Sequence, residues 1–236
     1  MVGLKSYWSS FARPVAWWCL GLGVWSAAVA AVKRDLMQLP PAQFAQLPEG
    51  SAPIELATFD RELLAVAIFH ETNRWRAQFG LPLLSHRREL DRAADVQGAF
   101  GSLMPEAGHP NPLPSHATPT DRVIAAGLNP KLVGENVVLT PRRDAGNQTL
   151  IHTLGDGAAQ KYFNPDTGRE LQPHTYDSFA ARVLVQWLNS PAHRANIVNV
   201  EFRSLGCGVR PRRSVSGTYS LYAVQVFFTP ENSRRR

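Results

Sequence analysis

The side chains in this sequence best suited to chemistry are a set of histidines, one carboxylate on an apolar row, and a late cysteine. Ser190 followed by Pro191 reads as the cap and first residue of a helix, which puts His193 in its first turn. The positive end of a helix dipole disfavours an imidazolium there. His193 is therefore expected to stay neutral, with a ring nitrogen lone pair free for a metal or a proton. His109 and His116 lie in PEAGHPNPLPSHATPT (105–120), a stretch with five prolines and no apolar periodicity. That is the pattern of a loop carrying a site or a surface ornament. Glu135 stands in VGENVVL (133–139), where alternation places it on one face with Val133 and Val137. A carboxylate on such a row either turns to solvent at the strand end or meets a cation or donor inside a cleft.

Other candidates carry less. His70-Glu71 suggests a zinc-protease helix, but Arg74 occupies the position of the second histidine of H-E-x-x-H, so His70 reads as a partly exposed helical residue. Cys207 lies in LGCGV, with nothing nearby in sequence to lower its pKa, and reads as a buried, inert thiol. Cys19 falls in the N-terminal apolar segment, which leaves no partner for an internal disulfide in the body of the chain. A nucleotide-binding loop, a haem or iron–sulfur motif and a G-x-S-x-G elbow are all missing, and nothing points to a flavin.

The elements that must hold these groups follow from periodicity. Phe179, Val183 and Trp187 recur every fourth position, with Ala180, Leu184 and Leu188 in the next row, so this helix is apolar over most of its circumference and belongs in a core. A helix from near Thr58 to Gly80 carries Leu64, Ile68, Trp75 and Phe79 on one stripe. A second spans about Arg88 to Leu103, and a short one, Asp121 to Ala126, is capped by Thr120. Strands are expected over Val133–Leu139, Leu205–Arg210 and Tyr219–Phe228. In the last, Tyr222, Val224, Val226 and Phe228 line one face and Leu221, Ala223, Gln225 and Phe227 the other, as in a central strand covered on both sides. Residues 141–175 are polar and turn-rich, with Asn164-Pro165-Asp166-Thr167-Gly168 a strong turn signal, and read as an insertion.

With 236 residues and 44% hydrophobic side chains, the chain can bury one core of ordinary size, and a disordered class is excluded. The formal charge of +6 is modest, and no basic stretch is interleaved with aromatics, which argues against a nucleic-acid partner. Lys5 and Arg13 precede an uncharged run from Val15 to Val32 that ends in small residues, the layout of an export signal. Ala28-Val29-Ala30 suits cleavage before Ala31. An uncleaved inner-membrane anchor is the competing reading, because the run nears the length needed to span a bilayer and Lys33 and Arg34 follow it. Either way the body is expected outside the cytoplasmic membrane, periplasmic or extracellular. The expected organisation is a signal or anchor at 1–32, a Pro/Gln/Ala-rich linker at 33–57, a folded domain at 58–231 and a basic tail at 232–236.

Several fragments in order resemble one family. These are Asn73-x-x-Arg76 before Gly80-Leu81, Ser115-His116, Gly134-Glu135-Asn136, Trp187-Leu-Asn-Ser190-Pro-Ala-His193-Arg-Ala-Asn196-Ile197, Phe202, Leu205-Gly-Cys-Gly208 and Tyr222-x-x-Gln225-x-Phe227. Together they resemble the bacterial form of the CAP superfamily, the cysteine-rich secretory, antigen 5 and pathogenesis-related proteins, also called the SCP domain. The resemblance implies an α+β fold, a three-layer α-β-α sandwich with a central antiparallel sheet and a cleft of two histidines and acidic residues. By motif these are His116, His193 and Glu135, supported by Asn136, Trp187, Ser190 and Gln225. Ser190 stands where many animal and plant relatives have a second glutamate, and the eukaryotic disulfides are absent.

Two imidazoles and a carboxylate can hold Zn2+ or another divalent metal with a position open to water. The same groups can instead form a hydrogen-bonded network that binds polar parts of a ligand. The expected function is accordingly an envelope binding module for a lipid, a cell-wall fragment or a metal. The alternative is a zinc-dependent hydrolase of peptide or wall material with Glu135 as general base, and a partner role toward an envelope protein is a third possibility.

Overall fold

The computed structural model describes residues 36–145, 152–154, 161–214 and 218–231; the expected export segment and basic tail lie outside them. In chain order the helices are α1 (Pro41–Phe44), α2 (Arg61–Gln78), α3 (Arg88–Gly101), α4 (Pro119–Ala125), α5 (Tyr176–Leu188) and α6 (Pro191–Val198). The strands are β1 (Ser85–His86), β2 (Pro130–Pro141), β3 (His152–Leu154), β4 (Lys161–Phe163), β5 (Ser204–Arg213) and β6 (Tyr219–Pro230).

Alternation in β6 decides the layering. Leu221, Ala223 and Phe227 join one apolar cluster, with α2, α5 and α6, while Tyr222, Val224, Val226 and Phe228 join a second, with α3 and α4. Successive side chains of a strand point to opposite faces, so a strand apolar on both must lie between two helical layers. The main sheet runs β1-β5-β6-β2, with β5 and β2 antiparallel to β6. The expected three-layer sandwich is the observed one, with one difference: the two-residue β1 joins β5 in parallel, so the sheet is mixed. Phe179, Val183, Leu184 and Trp187 of α5 are each fully buried, and each contributes about 1.5–3 kcal/mol by leaving water.

The outer layer comes very close to the sheet at Gly206. A Cβ built there would sit 2.4 Å from the backbone nitrogen of Asp91 in α3. Asp91 also closes the edge of β5, since its Oδ1 accepts from the Cys207 N–H at 2.9 Å. At the opposite edge, the Glu135 carbonyl of β2 accepts from Asn196 Nδ2 of α6 at 3.2 Å.

Local signals shift some boundaries. The cap of the short helix is Thr118, not Thr120. Thr118 Oγ1 accepts from the Asp121 N–H while Asp121 accepts from the Thr118 N–H, a reciprocal capping box that lets Pro119 occupy the first turn. Ser190 stands at the N-cap of α6, but its hydroxyl makes no capping hydrogen bond. The strands extend two or three residues past the expected ends because β2 and β5 pair along nearly the whole of β6. Within 141–175, β3 and β4 pair as an antiparallel ribbon, and Asn164 Oδ1 accepts from the Asp166 and Thr167 N–H groups.

The stretch expected to be a linker is packed where it is described. Leu36, Phe44 and Ile54 are buried in the core beside α2, spaced too widely to show a period. They dock one at a time. The reading of His70 changes with them: it is 2% exposed, its ring stacks on Phe44 at 4.5 Å, and its Nε2 donates to the Leu36 carbonyl at 2.6 Å. Burial lowers the pKa of His70, opposed by the Leu36 hydrogen bond, and burial likewise lowers those of His174 and His193. With folded pKa values below the unfolded value near 6.5, the unfolded chain binds these protons first as the pH falls. Stability should be fully present above about pH 6.5 and decline as the pH drops below it. Thermal unfolding across pH 5 to 8 checks this, and His70→Gln should flatten the decline. A midpoint that rises on acidification would refute it.

No helix among the described residues is long and apolar enough to cross a membrane.

Candidate functional site

Glu135 is the fixed point of the site. Its position in β2 turns its side chain away from solvent, to 1% exposure, against the layer that contains α4. A buried carboxylate needs a cation, and Arg122 of α4 supplies it. Arg122 Nη2 donates to Glu135 Oε1 at 2.8 Å and to Oε2 at 2.6 Å, with the guanidinium side chain fully buried. The same guanidinium holds the proline-rich loop: Nη1 donates to the His116 carbonyl at 2.7 Å and Nη2 to the His109 carbonyl at 3.2 Å. One side chain thus neutralises the strand carboxylate and pins two points of the loop over it.

That pinning selects the histidine. His109 Nδ1 lies 2.9 Å from Glu135 Oε1, and because a carboxylate only accepts, Nδ1 carries a proton, so that in the neutral ring the lone pair is on Nε2. The His109 side chain is 46% exposed, and its ring centroid is 6.5 Å from that of His193. His193, in the first turn of α6, is half-buried. Burial lowers its pKa first and the neighbouring His109 second, so both factors favour the neutral imidazole expected from its helix position.

His116, the histidine the motif assigned, is placed elsewhere. Its Nδ1 is 2.9 Å from Ser115 Oγ, and it contributes only its backbone carbonyl to the group around Glu135. The reason is the Arg122 clamp, which presents the side chain of His109 to the carboxylate and takes His116 by its main chain. The structure therefore brings together Glu135, His109 and His193, with Arg122 behind them. Spacing alone could not choose between two histidines of one loop. A signal for Arg122 was present, since a buried glutamate demands a cation and Arg122 directly follows the capping Asp121 in the helix before β2.

The supporting residues fix His193. Asn136 Nδ2 donates to the His193 carbonyl at 3.1 Å and to Gln225 Oε1 at 3.3 Å, and Asn196 Nδ2 donates to Asn136 Oδ1 at 2.8 Å. Gln225 Nε2 in turn donates to Thr72 Oγ1 of α2. This chain runs from α2 through β6 and β2 to α6. Such a satisfied buried network holds its members in one arrangement. Trp187 is fully buried beneath the α5–α6 corner, and Ser190 sits at that corner.

The donor set bears on metal chemistry. Both Glu135 oxygens accept from Arg122 and one also meets His109, so the carboxylate has little left for a metal. Among the described residues, no group of three or more His, Cys, Asp or Glu side chains is arranged to hold an ion. The two imidazoles are what this group of residues offers a metal.

A sequence model described as the Cysteine-rich secretory protein family, CAP, matches residues 69–227, more than half of the chain. The chain belongs to the CAP family. Among curated proteins none matches it. Solved structures similar to this CAP domain include an extracellular SCP-domain protein of Bacillus anthracis str. Ames, 23% identical, with a TM-score of 0.46, covering 71% of this chain and 41% of that one. An outer surface protein of Borrelia burgdorferi is 15% identical, with a TM-score of 0.45, covering 70% of this chain and 90% of the other. A cysteine-rich secretory protein of Staphylococcus aureus is 13% identical, with a TM-score of 0.40, covering 72% and 40%. This CAP chain therefore spans about two-fifths of the length of the first and third.

Proposed function

We propose that this chain is an exported binding module of the cell envelope, whose cleft presents the imidazoles of His109 and His193 to a divalent metal or to the polar part of a lipid or wall fragment. The observation that carries this reading is the engagement of Glu135. Its carboxylate is neutralised by Arg122 and orients His109, so it serves as a positioning group; acting as a general base would first require breaking the Arg122 pair. The hydrolase alternative accordingly has less support. Export rests on Lys5, Arg13 and the apolar run to Val32 with its small-residue end.

A divalent metal fits the pair through ring nitrogens, His109 by Nε2. Bound there, it would supply Lewis acidity and lower the pKa of a coordinated water. Zinc titration by calorimetry on the purified protein tests the donors. His109→Ala and His193→Ala should each weaken binding by about tenfold or more, and His116→Ala should leave it unchanged. Zinc binding that ignores both His109 and His193 would overturn the assignment of the cleft as the metal site. Failure of zinc, lipid vesicles and peptidoglycan fragments alike to bind would overturn the module itself.

A further inference from the structure

At the C-terminal end of α2 the fold holds apolar side chains out in solvent. Gly80, with φ of 69°, ends the helix and turns the chain into Leu81-Pro82-Leu83-Leu84. Asn73 grips this loop from inside, donating through Nδ2 to the Leu84 carbonyl at 3.0 Å and accepting from the Leu84 N–H at 2.9 Å. The fully buried Arg76 fastens the same loop to the one that follows α6. Its Nε donates to the Pro82 carbonyl at 2.9 Å, and its Nη1 to the Ile197 and Asn199 carbonyls at 2.7 and 3.0 Å. Leu84 and Phe202 of the two loops enter the core, whereas Phe79, Leu83 and Val200 are 39%, 51% and 57% exposed. Single exposed apolar residues are ordinary, but these three belong to segments tied together by one guanidinium.

The charge around this tip is one-sided. Its carboxylates are Glu71 and Glu201, and each already meets a cation: Arg74 donates to Glu71 through Nε at 2.6 Å, and Lys131 Nζ is 3.7 Å from Glu201. Two exposed arginines remain, and among the described residues neither meets a carboxylate. Arg203 Nη1 donates to the Val200 and Phe202 carbonyls at 2.6 and 3.3 Å, and the Arg194 guanidinium lies 5.8 Å from the centre of the Phe79 ring. Trp75, half-buried, packs beside Phe79 with ring centres 5.7 Å apart.

Rigid apolar side chains ringed by unpaired arginines and backed by a tryptophan call for a partner that is apolar within and anionic at its surface. A second copy of the chain is a poor match, because a symmetric contact through this tip would set the same arginines against one another. A phospholipid bilayer with anionic headgroups meets both demands. Its headgroup boundary accepts aliphatic and aromatic side chains, and its phosphates accept from guanidinium groups. We infer that the tip carrying Phe79, Leu83 and Val200 docks on the surface of an anionic phospholipid bilayer, with Arg194 and Arg203 against the lipid phosphates.

The N-terminal apolar run of the full chain can enter vesicles by itself, so the readout is taken at the tip. A polarity-sensitive nitrobenzoxadiazole dye is attached through Val200→Cys in a Cys19→Ser background, Cys207 being buried. On vesicles of phosphatidylglycerol and phosphatidylcholine in equal parts, its emission should rise and shift to the blue, and pure phosphatidylcholine vesicles should give no such change. Adding Arg194→Gln and Arg203→Gln should weaken the response to the anionic vesicles about tenfold or more. No response on anionic vesicles, an equal response on pure phosphatidylcholine, or an undiminished response in the folded double-arginine variant would each overturn the assignment. So would an equal response from a dye attached through Ala99→Cys, which is exposed near the other end of α3. Should the arginine variant fail to fold, the two vesicle compositions and the two dye positions decide. The tip shares no residue with the His109, Glu135 and His193 group, so His109→Ala should leave the dye response unchanged while it weakens zinc binding.

Discussion

Replacing Arg122 with methionine should lower the free energy of unfolding by about 3–5 kcal/mol, more than is typical of a single substitution. The side chain is fully buried, both Glu135 oxygens accept from it, and two loop carbonyls depend on it. Its removal leaves a carboxylate in a dry site facing an unsupported loop. Restoring neutrality should recover much of the loss, so Arg122→Met with Glu135→Leu should be more stable than Arg122→Met alone, because breaking one half of a buried pair costs more than removing both. Urea unfolding of the two variants measures this. A double variant no more stable than the single one would show that the loop contacts, not the charge pair, carry the effect. The single variant should also weaken zinc binding, since His109 loses its anchorage.

The second large effect is expected at Gly206, where an alanine would force apart α3 and β5. The added methyl would meet backbone rather than a flexible side chain, 2.4 Å from the Asp91 nitrogen and 2.4 Å from the Leu90 carbonyl carbon. Overpacking of this kind costs about 1–3 kcal/mol and more where the backbone must move. Gly206→Ala should lie at or above the top of that range, and Gly208→Ala, with its nearest approach to α3 at 2.9 Å, below it. Thermal unfolding of both variants ranks them, and a Gly206→Ala protein as stable as the unaltered chain would sink the argument. In the sequence, Leu205, Cys207 and Val209 alternate with Gly206 and Gly208, the pattern of a strand packed closely against another element.

That example shows where the sequence was legible. Two-fold alternation in β6 and the four-residue recurrence in α5 report directly on burial, so the sandwich and its central strand could be read from them. Burial of Leu36, Phe44 and Ile54 could not, because each docks singly and leaves no period behind. Ion pairing across elements is similarly silent. Glu135 announced itself as an anomaly on an apolar row, but its cation is thirteen positions back in another element. The choice of His109 over His116 depends on how Arg122 folds the proline-rich loop, and no local pattern encodes that. His70 was misjudged for the same reason, its burial arising from a segment whose composition suggested no packing.

The edges of the main sheet, along β5 beyond the two residues paired with β1 and along β2, also have a consequence for how copies of this protein behave when crowded together. At the β5 edge the Cys207 N–H is taken by Asp91 and Pro211 has no N–H to give, while at the β2 edge the Glu135 carbonyl is taken by Asn196. A strand from a second molecule approaching either position finds its hydrogen-bonding groups already engaged, or a proline ring in the way. Side chains on flanking helices thus discourage edge-to-edge polymerisation and help keep this sheet to the strands of one chain.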